Sequence, residues 1–416
     1  MSSQVNVLQT PLWTATPTAG TQINSSAVSD NGEVAVVGTS SEYDSGDFSV
    51  FCYDQTGALK WQQPIADQRV YQGVFWVAVS GNGQIAAAGG ETSKSGSQRG
   101  FLNVYSVSSG EVLYSAKLPS RVNQICLSQS GLHMLVAYGD SLQLYTRQNN
   151  TYVLTDTETF EGQSCNSCAL SSAGNMAAAS VVNYHDSDTA STLSETGRIV
   201  AYYVLNDRLK VALDYPVLVA TMRVAMSADG EFFGASLHNG HCIAFDSTCF
   251  ESGQCLWQFA PAGYSLSVAY GIAVARDKNG DCYLACGANL YTDESAPATA
   301  PLGVLYLVKS KTVGSSQHAD LQWCCPIQYS PNPGVNMDVA GTYVTATDGA
   351  PDFSHSPTPS QESPGNFYLF DRQAGMQIGQ YQTSQMNWPM AITANGQYLF
   401  GASDNGTAYY WKTADA

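Results

Sequence analysis

Charge is scarce in this chain. Of its 416 residues only 12% are charged, and the 17 basic side chains are outnumbered by 34 acidic ones, which leaves a net charge of −17. Lys and Arg form no cluster. A nucleic-acid surface needs such a cluster to replace counterions, so no nucleic-acid partner is expected. An anionic membrane surface is disfavoured on the same ground. There is no apolar run of 18 residues, so no transmembrane segment is expected. The start, MSSQVNVLQT, has neither the basic nor the apolar region of a secretory signal. Helix-period patterns are almost absent.

Recognisable catalytic motifs are also missing. There is no Gly-x-Ser-x-Gly elbow, no His-Glu-x-x-His and no phosphate loop. The six His are scattered; His238 and His241 flank a tight turn, where solvated side chains are commoner than metal ligands. No metal is expected. DKNGD (277–281) looks like half a calcium loop but lacks a bidentate Glu downstream. The eleven Cys are an odd number. Cys52, Cys126, Cys242, Cys282 and Cys286 fall mid-strand and read as small apolar core residues. That favours a reducing, cytoplasmic setting over a secreted one. Cys249 and Cys255 bracket a turn and are within reach of a disulfide; the pairing stays open.

What the chain has in abundance is one phrase, repeated. A small apolar run, a Ser-x-x-Gly turn and a second apolar run occur eight times. Examples are AVSDNGEVAVVG from Ala27, AVSGNGQIAAAG from Ala78, AMSADGEFFGAS from Ala225 and AITANGQYLFGAS from Ala391. Successive copies start 43 to 65 residues apart. Short alternating runs joined by a Gly turn are β-hairpins, and a period near 50 marks a repeat architecture. A third strand and usually a fourth follow each hairpin. The expectation is an all-β fold: one eight-bladed β-propeller of four-stranded blades spanning residues 1–416. The last copy ends at TAYYWK with no room for a fourth strand. PLWTATP (11–17) carries the Leu-Trp pair of other fourth strands, so the N-terminal strand is expected to complete the last blade and close the ring.

Three fourth strands follow a turn and end in Trp: TGALKW (56–61), SGQCLW (252–257) and LQW (321–323). This pattern resembles the pyrroloquinoline-quinone-like and WD40-like propeller repeats, over nearly the whole chain. The resemblance implies the fold. Quinoprotein dehydrogenases bind a quinone beside a calcium ion, but Trp is missing from several copies here, as in EVLYSAKLP and MQIGQYQTS. Neither cofactor is carried over. The pair Cys324–Cys325 is similar to the vicinal disulfide of some quinoproteins, yet its outer-strand position favours packing.

The loops between second and third strands are long at 40–47, 91–100, 181–197, 288–303 and 347–365, and tight in copies three, five and eight. Long loops on one face of a rigid scaffold point to function there. They carry Asp186, Asp188, Asp293, Glu294, Asp348 and Asp352, with no specific cation spacing. Aligning the copies on the turn puts polar residues at the entrance of the innermost strands. These are Asn24, Asn123, Asn166, Asn336 and Asn387, with Arg121, Arg223, Asp338, Trp76, Trp388 and Tyr270. Amides with aromatic planes suit a neutral or weakly charged polar ligand, such as a sugar or peptide amide. Asn at strand starts also caps turns by local hydrogen bonds. Asp338 with Arg121 or Arg223 is a candidate acid–base pair, or equally a structural ion pair.

Two functions fit. One is a binding propeller that holds a polar small molecule or a protein partner at the axial funnel and long-loop face. The other is a propeller enzyme, quinoprotein-like or lyase- or hydrolase-like, with its site in the same funnel.

Overall fold

The computed structural model describes residues 6–183, 196–291, 300–314, 316–349 and 363–413. Its regular structure is almost all strand, with one short helix, Thr248–Ser252, among the described residues. Each repeat opens on the expected hairpin, and the Ser-x-x-Gly phrase explains how. The turn Ser hydroxyl accepts the backbone N–H five residues on, as in Ser29 to Val34 at 3.1 Å and Ser80 to Ile85 at 3.0 Å. Ser128, Ser171, Ser227 and Thr393 do the same. The turn Gly has positive φ throughout, from +64° at Gly341 to +83° at Gly280, a region a β-carbon disfavours.

Third and fourth strands extend each hairpin into an antiparallel sheet. The third repeat shows the order: Val122–Leu127, His133–Tyr138, Ser141–Gln148 and Thr151–Thr159. Among the described residues six sheets have four strands and one has eight. The larger sheet arises because strand Val34–Gly46 runs on through the segment expected to be a long loop. Its Ser40, Ser45 and Gly46 pair with Gly73, Tyr71 and Val70 of the second repeat. Repeated four-stranded antiparallel sheets are the pattern of a β-propeller.

The N-terminal strand joins the last repeat, as its Leu-Trp pair suggested. Trp13–Ala15 pairs with Ala408–Lys412, with Trp13 opposite Tyr410. The indole stacks on the Tyr410 ring at 5.0 Å and donates Nε1–H to Gln55 O, in the first repeat, at 3.0 Å. It also covers Gly57, where a β-carbon would lie 2.7 Å from the ring. The same lock recurs between other neighbours. Trp61 donates to Val107 O and covers Gly110, and Trp323 donates to Arg372 O and covers Gly375.

Neighbouring sheets share their cores. One cluster joins Leu135 and Ala137 of the third repeat to Cys165, Ala179 and Val200 of the fourth. Another joins Ile23, Val37 and Phe51 of the first to Phe400, Ala408 and Tyr410 of the last. First strands also meet first strands through their turns. Asp30 N–H donates to Gly81 O, Asn82 to Gln129 O, Gln129 to Ser172 O and Ser172 to Ala228 O. Val339 donates to Ala394 O, and Ala394 donates to Asp30 O, so this belt links the last repeat back to the first.

A bulge at the start of the first strands sets which residues face where. The register shifts between Val74 and Trp76, Val122 and Gln124, Cys165 and Ser167, and Thr221 and Arg223. The residue before each bulge is buried between sheets: Val74, Val122, Cys165 and Thr221 are all 1% exposed or less. The extra residue reverses the alternation and turns the next positions away from the sheet stack.

Replacing Trp13 with Ala removes a packed indole and its hydrogen bond across the junction of the last and first repeats. We expect a loss of about 3 kcal/mol in urea unfolding. Leu12, 57% exposed next to it, serves as control, and Leu12→Ala should change stability by less than about 0.5 kcal/mol.

Candidate functional site

A cavity of about 380 Å³ takes side chains from the first strands of all eight repeats. One from each is Ser26, Trp76, Gln124, Cys168, Arg223, Ile272, Asn336 and Ala391. A smaller cavity of about 100 Å³ is lined by Asn24, Ser41, Glu42, Gln72, Phe75, Arg121 and Trp388. The sequence-derived candidates therefore divide: Trp76, Arg223 and Asn336 line the large cavity, and Asn24, Arg121 and Trp388 the small one.

Arg223 dominates the large cavity. Its Nη1 donates to Gln124 Oε1 at 2.9 Å, and its guanidinium carbon lies 4.9 Å from the Trp76 ring centre. These partners belong to the third and second repeats, so the side chain reaches past the fourth. Burial lowers its pKa to about 10, which leaves it charged at neutral pH. Arg121 lies 4.1 Å over the Phe75 ring. Burial raises the nearby Glu91 carboxyl, and Arg99 and Arg121 oppose that shift.

The Asn side chains are largely occupied by the fold. Asn123 Nδ2 donates to Cys165 O at 2.9 Å, Asn166 Nδ2 to Thr221 O at 3.5 Å and Asn336 Nδ2 to Met390 O at 3.0 Å. Each carbonyl belongs to the next repeat. Asn24 differs: it is 7% exposed, and its buried Oδ1 has no partner.

Four expectations need correction. Asp338 does not meet Arg121 or Arg223. It is 2% exposed and occupies the hairpin-turn position that Ser holds elsewhere, accepting Tyr343 N–H at 2.7 Å. Burial raises its carboxyl pKa, where two arginines would have lowered it. Asn387 is fully buried, one residue earlier in register than Asn24, at the position the bulge turns between sheets; its Oδ1 accepts from Thr383 at 2.8 Å. Asn336 lies near the turn end of its strand, so it lines the cavity but does not share the level of Asn24, Asn123 and Asn166. Tyr270 is half-buried on strand Leu266–Arg276 and lines neither cavity.

Sequence reasoning missed Asp404, Glu42, Phe75 and Gln124. Asp404 sits in the tight loop SDNG, which reads as a plain turn. It is 7% exposed and accepts Trp388 Nε1–H at 2.6 Å. Burial pushes its carboxyl up to about 7; the Trp388 and Gln22 side chains oppose the shift, and Glu42 adds to it. Gln124 occupies the same bulge position as Trp76 and Arg223, and reading that whole column would have found it.

The remaining candidates have structural partners. Asp281 meets Lys309 at 2.6 Å and Asp277 meets Arg372 at 3.5 Å, so DKNGD is a salt-bridged turn. His241 Nδ1 is 3.0 Å from Gln258 Nε2. Among the described residues no three His, Cys, Asp or Glu side chains group as metal ligands. Asp348 is fully buried and accepts from Tyr368 Oη, Tyr329 N and Asn366 N. Asp186, Asp188, Asp293, Glu294 and Asp352 lie outside the described residues. Cys249, in the unexpected helix, and Cys255 are both free thiols, as are Cys324 and Cys325. Cys52 and Cys286 are buried as expected, but Cys126 and Cys282 are half-buried, and Cys126 lines the large cavity.

No family model and no curated protein matches this chain.

Two measurements follow from this geometry. An Asp ionises near pH 4 when unfolded, while folded Asp404 does so near 7. Between these values the unfolded state sheds the proton first, so this group makes stability fall as pH rises from about 4 to 7. Asp404→Asn should remove that part of the slope and, at pH 8, stabilise the protein by about 1–3 kcal/mol; urea midpoints across pH would report it. A thiol reagent should label Cys126 and Cys282 in the native protein and leave Cys52 and Cys286 until unfolding. Peptide mapping after brief labelling distinguishes the four.

Proposed function

We propose that the chain is an eight-bladed β-propeller, closed by its N-terminal strand, that holds a polar small molecule in its axial channel. The belt of turn hydrogen bonds from Ala394 back to Asp30 supports closure, as does Trp13 bridging the last and first repeats. The Trp-on-Gly lock supports a fold-level kinship with quinoprotein-like propellers. A quinone and calcium form no part of the reading, because among the described residues the cavity around Arg223 is lined by no carboxylate to ligate calcium.

The observation that carries the binding function is the large cavity itself. Charge, amide and aromatic face meet in one space through Arg223, Gln124, Asn336 and Trp76, which come from four separate repeats. Its volume of about 380 Å³ lies in the range of small-ligand sites. Polar groups placed on the walls of such a cavity fix the orientation of a ligand.

A second reading, an acid–base enzyme at the small cavity, draws on Asp404, which does not line that cavity but holds the indole of Trp388, which does. A carboxyl that titrates near neutral pH beside Glu42 suits proton transfer. In that reading Asp404→Asn abolishes turnover; in the binding reading it leaves affinity in the large cavity unchanged.

The test of the binding reading is to plug the channel. Ala225 lines the large cavity and is half-buried. Ala225→Phe should keep the fold and abolish the thermal shift that a bound metabolite gives the native protein. A metabolite screen with equal shifts in both proteins would place binding elsewhere.

A further inference from the structure

The displacement of Asp338 leaves Arg223 without a counter-ion. Among the described residues no carboxylate lies within salt-bridge distance of it. Its hydrogen-bonded side-chain partner is the neutral Gln124, and its other contact is the Trp76 face. The charge that acts on it is Arg121, which repels it. Arg223 is half-buried, and a charge drawn partly out of water is normally paired, because uncompensated desolvation is costly. Here the cation is held in the cavity of a protein with a net charge of −17. Acidic side chains are plentiful elsewhere, yet none is supplied at this point.

We propose that this channel binds the carboxylate of a small hydroxylated monoanion of the sugar-acid type, with Arg223 as its fixed counter-ion. This rests on the channel-binding function proposed above and specifies the ligand's charge. One guanidinium without a counter-ion balances one negative charge, which favours a monoanion over a dianion. The planar fork that gives one N–H to Gln124 has others for a carboxylate, and that match is geometric as well as electrostatic. Ligand hydroxyls meet the amides of Gln124 and Asn336, and a ring face meets Trp76. Cys126 lines the same cavity and so reports occupancy without any change to the binding groups.

The experiment uses three probes on the intact protein: acetate as the smallest carboxylate, glucuronate as a sugar acid, and glucose as its neutral counterpart. Calorimetry gives affinities, and the rate of Cys126 labelling shows whether the channel is filled, with sodium chloride matching ionic strength. Glucuronate should bind roughly tenfold or more tightly than glucose, the ratio expected for a hydrogen bond to a charged group. Acetate should slow Cys126 labelling and compete with glucuronate. Arg223→Gln should reduce glucuronate to the level of glucose and raise the melting temperature of the unliganded protein; Arg223→Lys should fall between. Equal affinity for glucuronate and glucose, with Cys126 protected by both, would overturn the carboxylate assignment and leave the channel-binding function standing. No protection of Cys126 by any of the three would overturn both. A lower melting temperature in Arg223→Gln with unchanged glucuronate affinity would make Arg223 a structural crossbar.

Discussion

Among the described residues the first strand of each repeat pairs along its length with its own second strand, and except in the second repeat, where Val70–Val79 also pairs with Val34–Gly46, it has a paired strand on one side only; that constraint shapes the whole molecule. Its second edge presents backbone N–H and C=O groups that must find partners or water. Here side chains of the preceding repeat supply many of them. Ser25 and Ser167 hydroxyls accept the N–H of Val77 and Val224, and Asn123 donates to Cys165 O. The turns add the belt of backbone bonds that runs from the last repeat into the first. Small residues make this approach possible: Gly89 packs so closely on Val122 that a β-carbon there would lie 2.8 Å away. The first strands are therefore held side by side, and the space they leave between them is the large cavity.

Much of this was legible in the sequence because turn chemistry is local. Ser-x-x-Gly specifies the hairpin through one hydroxyl and one positive φ, and both act within six residues. The Leu-Trp pair of PLWTATP placed the N-terminal strand correctly, since the indole needs a Gly turn to cover and Gly57 provides it. The side chains of the site were harder to read. In the sequence five Asn fall near the start of the first strands, yet the bulge shifts Asn387 into the sheet stack, and Asn336 belongs to a different level. Asp338 looked like a funnel carboxylate because its repeat has Asp where others have Ser; the hairpin uses either oxygen in the same way. The segment 40–46 reads as a loop by composition and pairs as a strand because its partner, 70–73, is distant in sequence.

The same comparison separates scaffold from function. Asn123 and Asn166 have their donors committed to neighbouring carbonyls, which is a structural use. Trp76, Gln124 and Arg223 share the bulge position yet face the cavity. Three different side chains at one structurally equivalent position show that the backbone does not dictate them there. What the fold dictates is the direction in which they point, and the chemistry they bring is specific to each repeat.

The central claim is that the ring encloses a channel with a fixed, uncompensated positive charge. A crystal soaked in bromide tests it most directly, because bromide is a monoanion whose anomalous scattering locates it without assumption about the ligand. The account predicts a bromide peak inside the channel in contact with the Arg223 guanidinium, displaced by acetate. Bromide confined to the outer surface, with Arg223 paired to a carboxylate of the protein, would contradict it.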